Sequence, residues 1–126
     1  MVVNYGKNQV ARTISEGIAL TSWRTVQFGA NGASTAPTDT ALKAPISGAA
    51  ITASLVRTDN KLAFSGSWLN NTGAEQTVRE LALADGSGMC ARLCSADGEI
   101  SDTVVPAGQT LHLDSYDLYV RDDSEV

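Results

Sequence analysis

The chain has 126 residues, 43% of them apolar and 18% charged, with a formal net charge of −5. That length fits one domain around one hydrophobic core, and the composition excludes a disordered tail, a collagen-like repeat or a coiled coil. Residues 1–63 hold six basic and three acidic side chains while residues 64–126 hold three basic and eleven acidic, a distribution that lacks the Lys/Arg footprint of a nucleic-acid binder.

The opening residues Met1–Lys7 carry neither the basic start nor the apolar stretch of a secretory signal, and no run approaches the roughly 18 apolar residues of a membrane span. A soluble product made in a cytoplasm is expected. One segment reads as helix, about Asn8 to Glu16, with Val10, Ala11 and Ile14 as a narrow apolar stripe and Gly17 as its stop. From Trp23 the pattern changes to strands. Arg24–Phe28 is the first, followed by a long run of small turn residues from Gly29 to Asp39. Ile46–Arg57 alternates, with Ile51, Ala53 and Leu55 on one side. Thr58–Lys61 is a turn, and Leu62, Phe64, Gly66 and Trp68 follow at period two, making a hairpin.

After the break at Asn70–Gly73, Thr77–Ala84 places Arg79, Leu81 and Leu83 on one face and Val78, Glu80 and Ala82 on the other. Asp85–Gly88 turns the chain into Met89–Cys94, Ser95–Gly98 turns it again, and a weak strand covers Thr103–Val105. Pro106–Gly108 leads into a last strand, Gln109–Arg121. There Leu111 and Leu113 are out of phase with Tyr116, Leu118 and Val120, which predicts a bulge near Asp114 and Ser115. The tail 122–126 is acidic and reads as frayed. These elements predict an all-β fold, a jelly-roll-like antiparallel β-sandwich of six to seven strands with a short N-terminal helix. It forms a single domain, 1–126, divided into a helical segment 1–22, a sandwich 23–121 and the tail.

Groups able to do chemistry are few, so no enzyme, cofactor or metal site is expected. His112 is the only histidine, sits mid-strand between two leucines, and has no nucleophile elbow to serve. Cys90 and Cys94 have a CxxxC spacing that matches no zinc or redox motif. In one regular strand they share a face about 13 Å apart, too far for an intrachain disulfide but open to a bond with a neighbouring chain. Gly29-x-x-Gly32 lacks the following helix or Gly-Lys-Ser/Thr of a phosphate loop and reads as a conformational loop. Asp114 with Asp117, and Asp122 with Asp123, read as solvated charges rather than a glycosidase pair. Asp97, Glu99 and Asp102 lack the EF-hand spacing for calcium. Trp23, Trp68, Tyr116 and Tyr119 leave open a carbohydrate- or host-receptor-binding module, if they are exposed to stack on sugar faces.

Three stretches carry a resemblance: Phe28–Gly32 running into Ala36-Pro37-Thr38-Asp39-Thr40-Ala41-Leu42, then Val78-Arg79-Glu80-Leu81-Ala82-Leu83, then Met89-Cys90-Ala91-Arg92-Leu93. In that order and spacing they resemble the small tail-fibre-like and decoration modules of tailed bacteriophage virions. The resemblance spans nearly the whole chain, including Val3–Asn8. Two departures stand out. Ala82 occupies a position where the family has glycine, and Lys43-Ala44-Pro45 replaces its Asn-Glu and later Arg. The resemblance implies a non-enzymatic virion protein, made in a bacterial cytoplasm, that attaches to capsid, neck or tail proteins. It also implies a homo-oligomer, with a trimer as the first expectation.

The same residues have a physical reading. Asp39 with Thr40 can cap local amides and stiffen the loop, and Leu42 can pin it to the core. Arg79 and Glu80 point to opposite faces, so at most one lies inward. If Glu80 meets Arg92 on the adjacent strand, the pair fixes register. The candidate structural and interface residues are therefore Gly29, Gly32, Pro37, Asp39, Thr40, Leu42, Arg79, Glu80 and Arg92.

Overall fold

The computed structural model describes residues 1–17, 19 and 22–119. Among the described residues one helix, α1 (Asn4–Glu16), precedes nine strands: β1 (Thr25–Gly29), β2 (Pro45–Thr52), β3 (Ser54–Thr58), β4 (Lys61–Leu69), β5 (Gln76–Val78), β6 (Glu80–Ala84), β7 (Met89–Cys94), β8 (Thr103–Val105) and β9 (Thr110–Tyr119). They form antiparallel sheets ordered β2-β1-β6-β7, β3-β4-β9 and β5-β8. The expected all-β, sandwich-like fold is present. The strand number exceeds the expected six or seven because two expected strands break.

The first break is at Ala53. Its amide bonds to Arg24 O at 2.7 Å, and the chain leaves the four-stranded sheet as β2 and enters the three-stranded sheet as β3. The alternation of Ile51, Ala53 and Leu55 toward the core survives the crossing, so the sequence pattern runs on unbroken. The second break is at Arg79, whose amide and carbonyl bond to Gly29 O and Ser95 N instead of a ladder partner. This shifts the side-chain phase: Val78 joins Leu81 and Leu83 in the core, whereas the sequence put it with Glu80 and Ala82.

The two larger sheets face each other across a core that includes Val26, Phe28, Phe64, Trp68, Leu83 and Leu113. Phe28 and Trp68 stack across it with ring centroids 5.6 Å apart. The bulge in β9 lies where the sequence puts it. Phe64 faces Tyr116 and Gly66 faces Leu113, so β9 spends one extra residue at Asp114–Ser115. Val120 and the tail 121–126 lie outside the described residues.

Sheet β2-β1-β6-β7 is covered on its other side too, which is why every residue of β6 is buried. The cover is the segment between β1 and β2 together with the start of α1, and Val3, Leu42, Ala82 and Met89 pack there as a second cluster. The helix starts four residues earlier than its sequence pattern. Gly6, its one buried residue, lies so close to the carbonyl of Cys90 that a Cβ would collide with it. Gly17 ends the helix at φ 69, its amide returning to Thr13 O. The expected apolar stripe is corrected. Val10 is half-buried against the core, but Ala11 is exposed and Ile14 is 81% exposed, because only the first turns of α1 lie on β7.

The two apolar extremes give opposite expectations in urea denaturation. Trp68→Ala costs about 3–5 kcal/mol by opening a cavity in the core, whereas Ile14→Ala changes stability by no more than about 0.5 kcal/mol.

Candidate functional site

Glu80 opens β6 and Arg92 lies in β7, and the register Glu80↔Cys94, Ala82↔Arg92 makes them diagonal neighbours on one face of the sheet. Their side chains are both 0% exposed and meet at 2.8 Å, Arg92 Nε donating to Glu80 Oε1. A pair so buried is tolerated only if its remaining polar atoms are also satisfied. The segment 30–44 supplies those partners almost entirely from its backbone. Glu80 Oε1 accepts the amide of Lys43 at 2.9 Å, and Oε2 accepts those of Ala44 at 2.8 Å and Asn31 at 3.1 Å. Arg92 Nη1 donates to Ala33 O at 2.7 Å and Thr35 Oγ1 at 2.8 Å, and Nη2 donates to Asn31 O at 2.8 Å.

Burial pushes the Glu80 carboxyl up, but the amides of Lys43, Ala44 and Asn31 and the Arg92 guanidinium outweigh it and hold it below the ordinary carboxylate range. The carboxylate faces four donors and no solvent, so it has neither a free lone pair for a substrate nor a route for one to arrive. What the arrangement does is fasten a loop.

The other residues singled out in the sequence divide around this clasp. Gly29 and Gly32 belong to it, although not as conformational glycines, since neither has a positive φ. They make room: a Cβ on Gly29 would lie 2.6 Å from the Glu80 carboxylate, and one on Gly32 would strike Ser95 Oγ. Asp39 caps as expected, Oδ2 accepting the Ala36 amide at 2.9 Å. Thr40, expected to share that task, is exposed and is not among the clasp's donors or acceptors. Pro37 is exposed, and its carbonyl accepts the amide of Asn4 at 2.8 Å, joining loop to helix. Leu42 is buried against Val3, Ala82 and Met89, so it pins the loop. Arg79 points outward, bonding to Ala30 O at 3.3 Å and pairing with Asp102 at 3.5 Å.

Sequence reasoning missed Asn31 and Thr35: two of Asn31's three contacts are made by its backbone, and the Thr35 hydroxyl meets Arg92 from 57 positions away. It also missed Asn70, which is fully buried and holds the carbonyls of Ala74 and Val105, tying the β4–β5 loop to β8. The departures at 43–45 from the phage-module pattern prove harmless to the clasp, since Lys43 and Ala44 contribute amides and any residue but proline has one.

Among the described residues, the histidine and the two cysteines do not assemble into one site. His112 is exposed on β9, while Cys90 lies in the apolar core, where burial pushes its thiol up to about 12. The two cysteines do not share an environment as a regular strand would require. Leu83 faces Ala91 and Ala84 faces Met89, so Cys90 is an extra residue in a bulge, and both cysteines are free and buried. Asp114 and Asp117 are exposed; Asp122 and Asp123 lie outside the described residues. Trp23 and Trp68 are in the core and Tyr116 packs half-buried against it, which removes them as a sugar-stacking platform; the side chain of Tyr119 is not described. A shallow hollow of about 500 Å³ lies between Ala30, Ala44 and the start of β2 on one side and Asn71, Thr72 and Gln76 on the other, with no titratable lining group.

Comparison of the chain with family models, curated proteins and solved structures returns no match. The functional reading therefore rests on these residues.

Breaking the clasp from either side has a defined cost. Glu80→Leu or Arg92→Leu, each leaving one buried charge uncompensated, destabilises by about 3–5 kcal/mol in chemical denaturation. Removing both does not return the protein to wild-type stability, because three loop amides still lack an acceptor. Because Glu80 is depressed in the folded state, its stabilisation is whole above the unfolded value near 4.5 and is lost as pH falls below it. Melting temperature measured from pH 7 down to 3 should drop more steeply below about pH 4.5 for wild type than for Glu80→Gln.

Proposed function

We propose that this chain is a non-enzymatic structural module of a tailed bacteriophage particle, which self-associates and attaches to a head, neck or tail surface. The observation that carries the reading is the fate of the motif residues. Those through which the sequence resembles phage decoration and tail-fibre-like modules, Gly29, Asp39, Leu42, Glu80 and Arg92, are spent on holding one loop rigid over the sheet. A rigid, unladdered loop presents a fixed shape at little ordering cost on contact, which suits a subunit whose work is shape-matched burial against neighbours. Apolar side chains left outside the core support self-association, chiefly Ile14 at 81% and Val56 at 62% exposure.

Gold-labelled antibody against the chain should decorate intact particles at regular positions, and sedimentation equilibrium of the purified protein should give a trimer. Ile14→Asp together with Val56→Asp should shift that equilibrium toward monomer while leaving the circular dichroism of the folded chain unchanged. A monomer at high concentration combined with unlabelled particles would overturn the proposal.

A further inference from the structure

We propose that Cys94, Asp97 and Glu99 form a binding site for a zinc-like divalent cation. Cys94 ends β7, and the turn that follows brings both carboxylates back over its thiol. Asp97 Oδ2 lies 3.1 Å and Glu99 Oε1 4.0 Å from Cys94 Sγ, and the three ligand atoms all lie within 4.8 Å of one another. Bonds of about 2.3 Å to sulfur and 2.0–2.2 Å to oxygen put tetrahedral sulfur–oxygen edges near 3.5 Å, which the two observed separations bracket.

A second observation separates this thiol from an ordinary buried cysteine. A free, buried cysteine normally serves as a small apolar residue, and Cys90 does so within the main core cluster. Cys94 is equally buried at 0% exposure yet belongs to neither apolar cluster. Its sulfur faces oxygens instead: the two carboxylates, and Thr35 Oγ1 at 3.8 Å. The carboxylates have other partners as well. Asp97 Oδ2 accepts the Thr35 amide at 3.1 Å, Glu99 Oε1 the Cys94 amide at 3.3 Å, and Glu99 Oε2 the Met1 ammonium at 2.8 Å. These contacts orient the ligands, and Asp97 is exposed to solvent.

The donor set selects the metal class. One thiolate with two carboxylates suits a borderline-soft ion such as zinc or cadmium better than calcium or magnesium, which take oxygen alone. Binding replaces the Cys94 S–H bond with a metal–sulfur bond and releases one proton to solvent, with no change of oxidation state. Because Asp97 also holds the Thr35 amide, the ion would join the β7–β8 turn to the clasped loop.

The test is a cadmium titration of the reduced full chain, followed by the ultraviolet charge-transfer absorption of a cadmium–thiolate bond and reversed by added zinc. One equivalent should produce the band in wild type and in Cys90→Ser, and none should form in Cys94→Ser. Asp97→Asn, an exposed turn substitution that leaves the fold intact by circular dichroism, should weaken binding at least about tenfold. The proposal is overturned by the absence of a band, by a band that survives Cys94→Ser, by one that disappears in Cys90→Ser, or by unchanged affinity in Asp97→Asn.

Discussion

A glutamate and an arginine with no exposed surface set the terms for the rest of this protein. Removing two such charges from water costs several kcal/mol each even after relaxation, and their mutual attraction offsets that only when every remaining polar atom is also met. Here six of the pair's seven hydrogen bonds go to one stretch of chain, residues 30–44. The dependence runs both ways. Without the loop the pair would be a buried, half-satisfied ion pair, and without the pair the loop's inward-facing amides and carbonyls would have no partners. A segment with no strand or helix is thereby tied to the sheet it covers by six hydrogen bonds.

That constraint organises the layers. Because the loop lies over Glu80 and Arg92, the sheet containing β6 and β7 becomes a middle layer, with the aromatic core on one side and the loop and first helical turns on the other. Small residues follow from close approach: Gly29 beside the Glu80 carboxylate, Gly6 against the Cys90 carbonyl, and Ala82 beneath Leu42 and Val3. The cover is short. It ends about halfway along α1, so Ile14 stands in solvent on a helix whose beginning is packed. The fastened loop and the exposed apolar positions are the features on which the proposed contact role rests.

Much of this was legible from local pattern. Hairpin turns at Thr58–Lys61 and Asp85–Gly88, the exact span of β7 and β8, and the bulge at Asp114–Ser115 all follow from period-two alternation punctuated by Gly, Asp and Asn, which each segment carries within itself. The inward turn of Glu80 toward Arg92 was legible as a condition, since two consecutive strand residues cannot both face in. The breaks at Ala53 and Arg79 were not, because each depends on a distant carbonyl, that of Arg24 and of Gly29, drawing the strand out of its ladder.

The sequence by itself determined the fold class, the turn positions and the residue types able to form the clasp, since these depend on neighbours a few positions away. Only the tertiary structure decided which partners those residues found. Asn31 and Lys43 reach Glu80 from 49 and 37 positions away through backbone amides that any residue but proline would supply, so composition and spacing carry no trace of them. The separate surroundings of Cys90 and Cys94 have the same origin. One inserted residue in β7, held where α1 meets the Cys90 carbonyl, sends the first thiol into the core and leaves the second among oxygens.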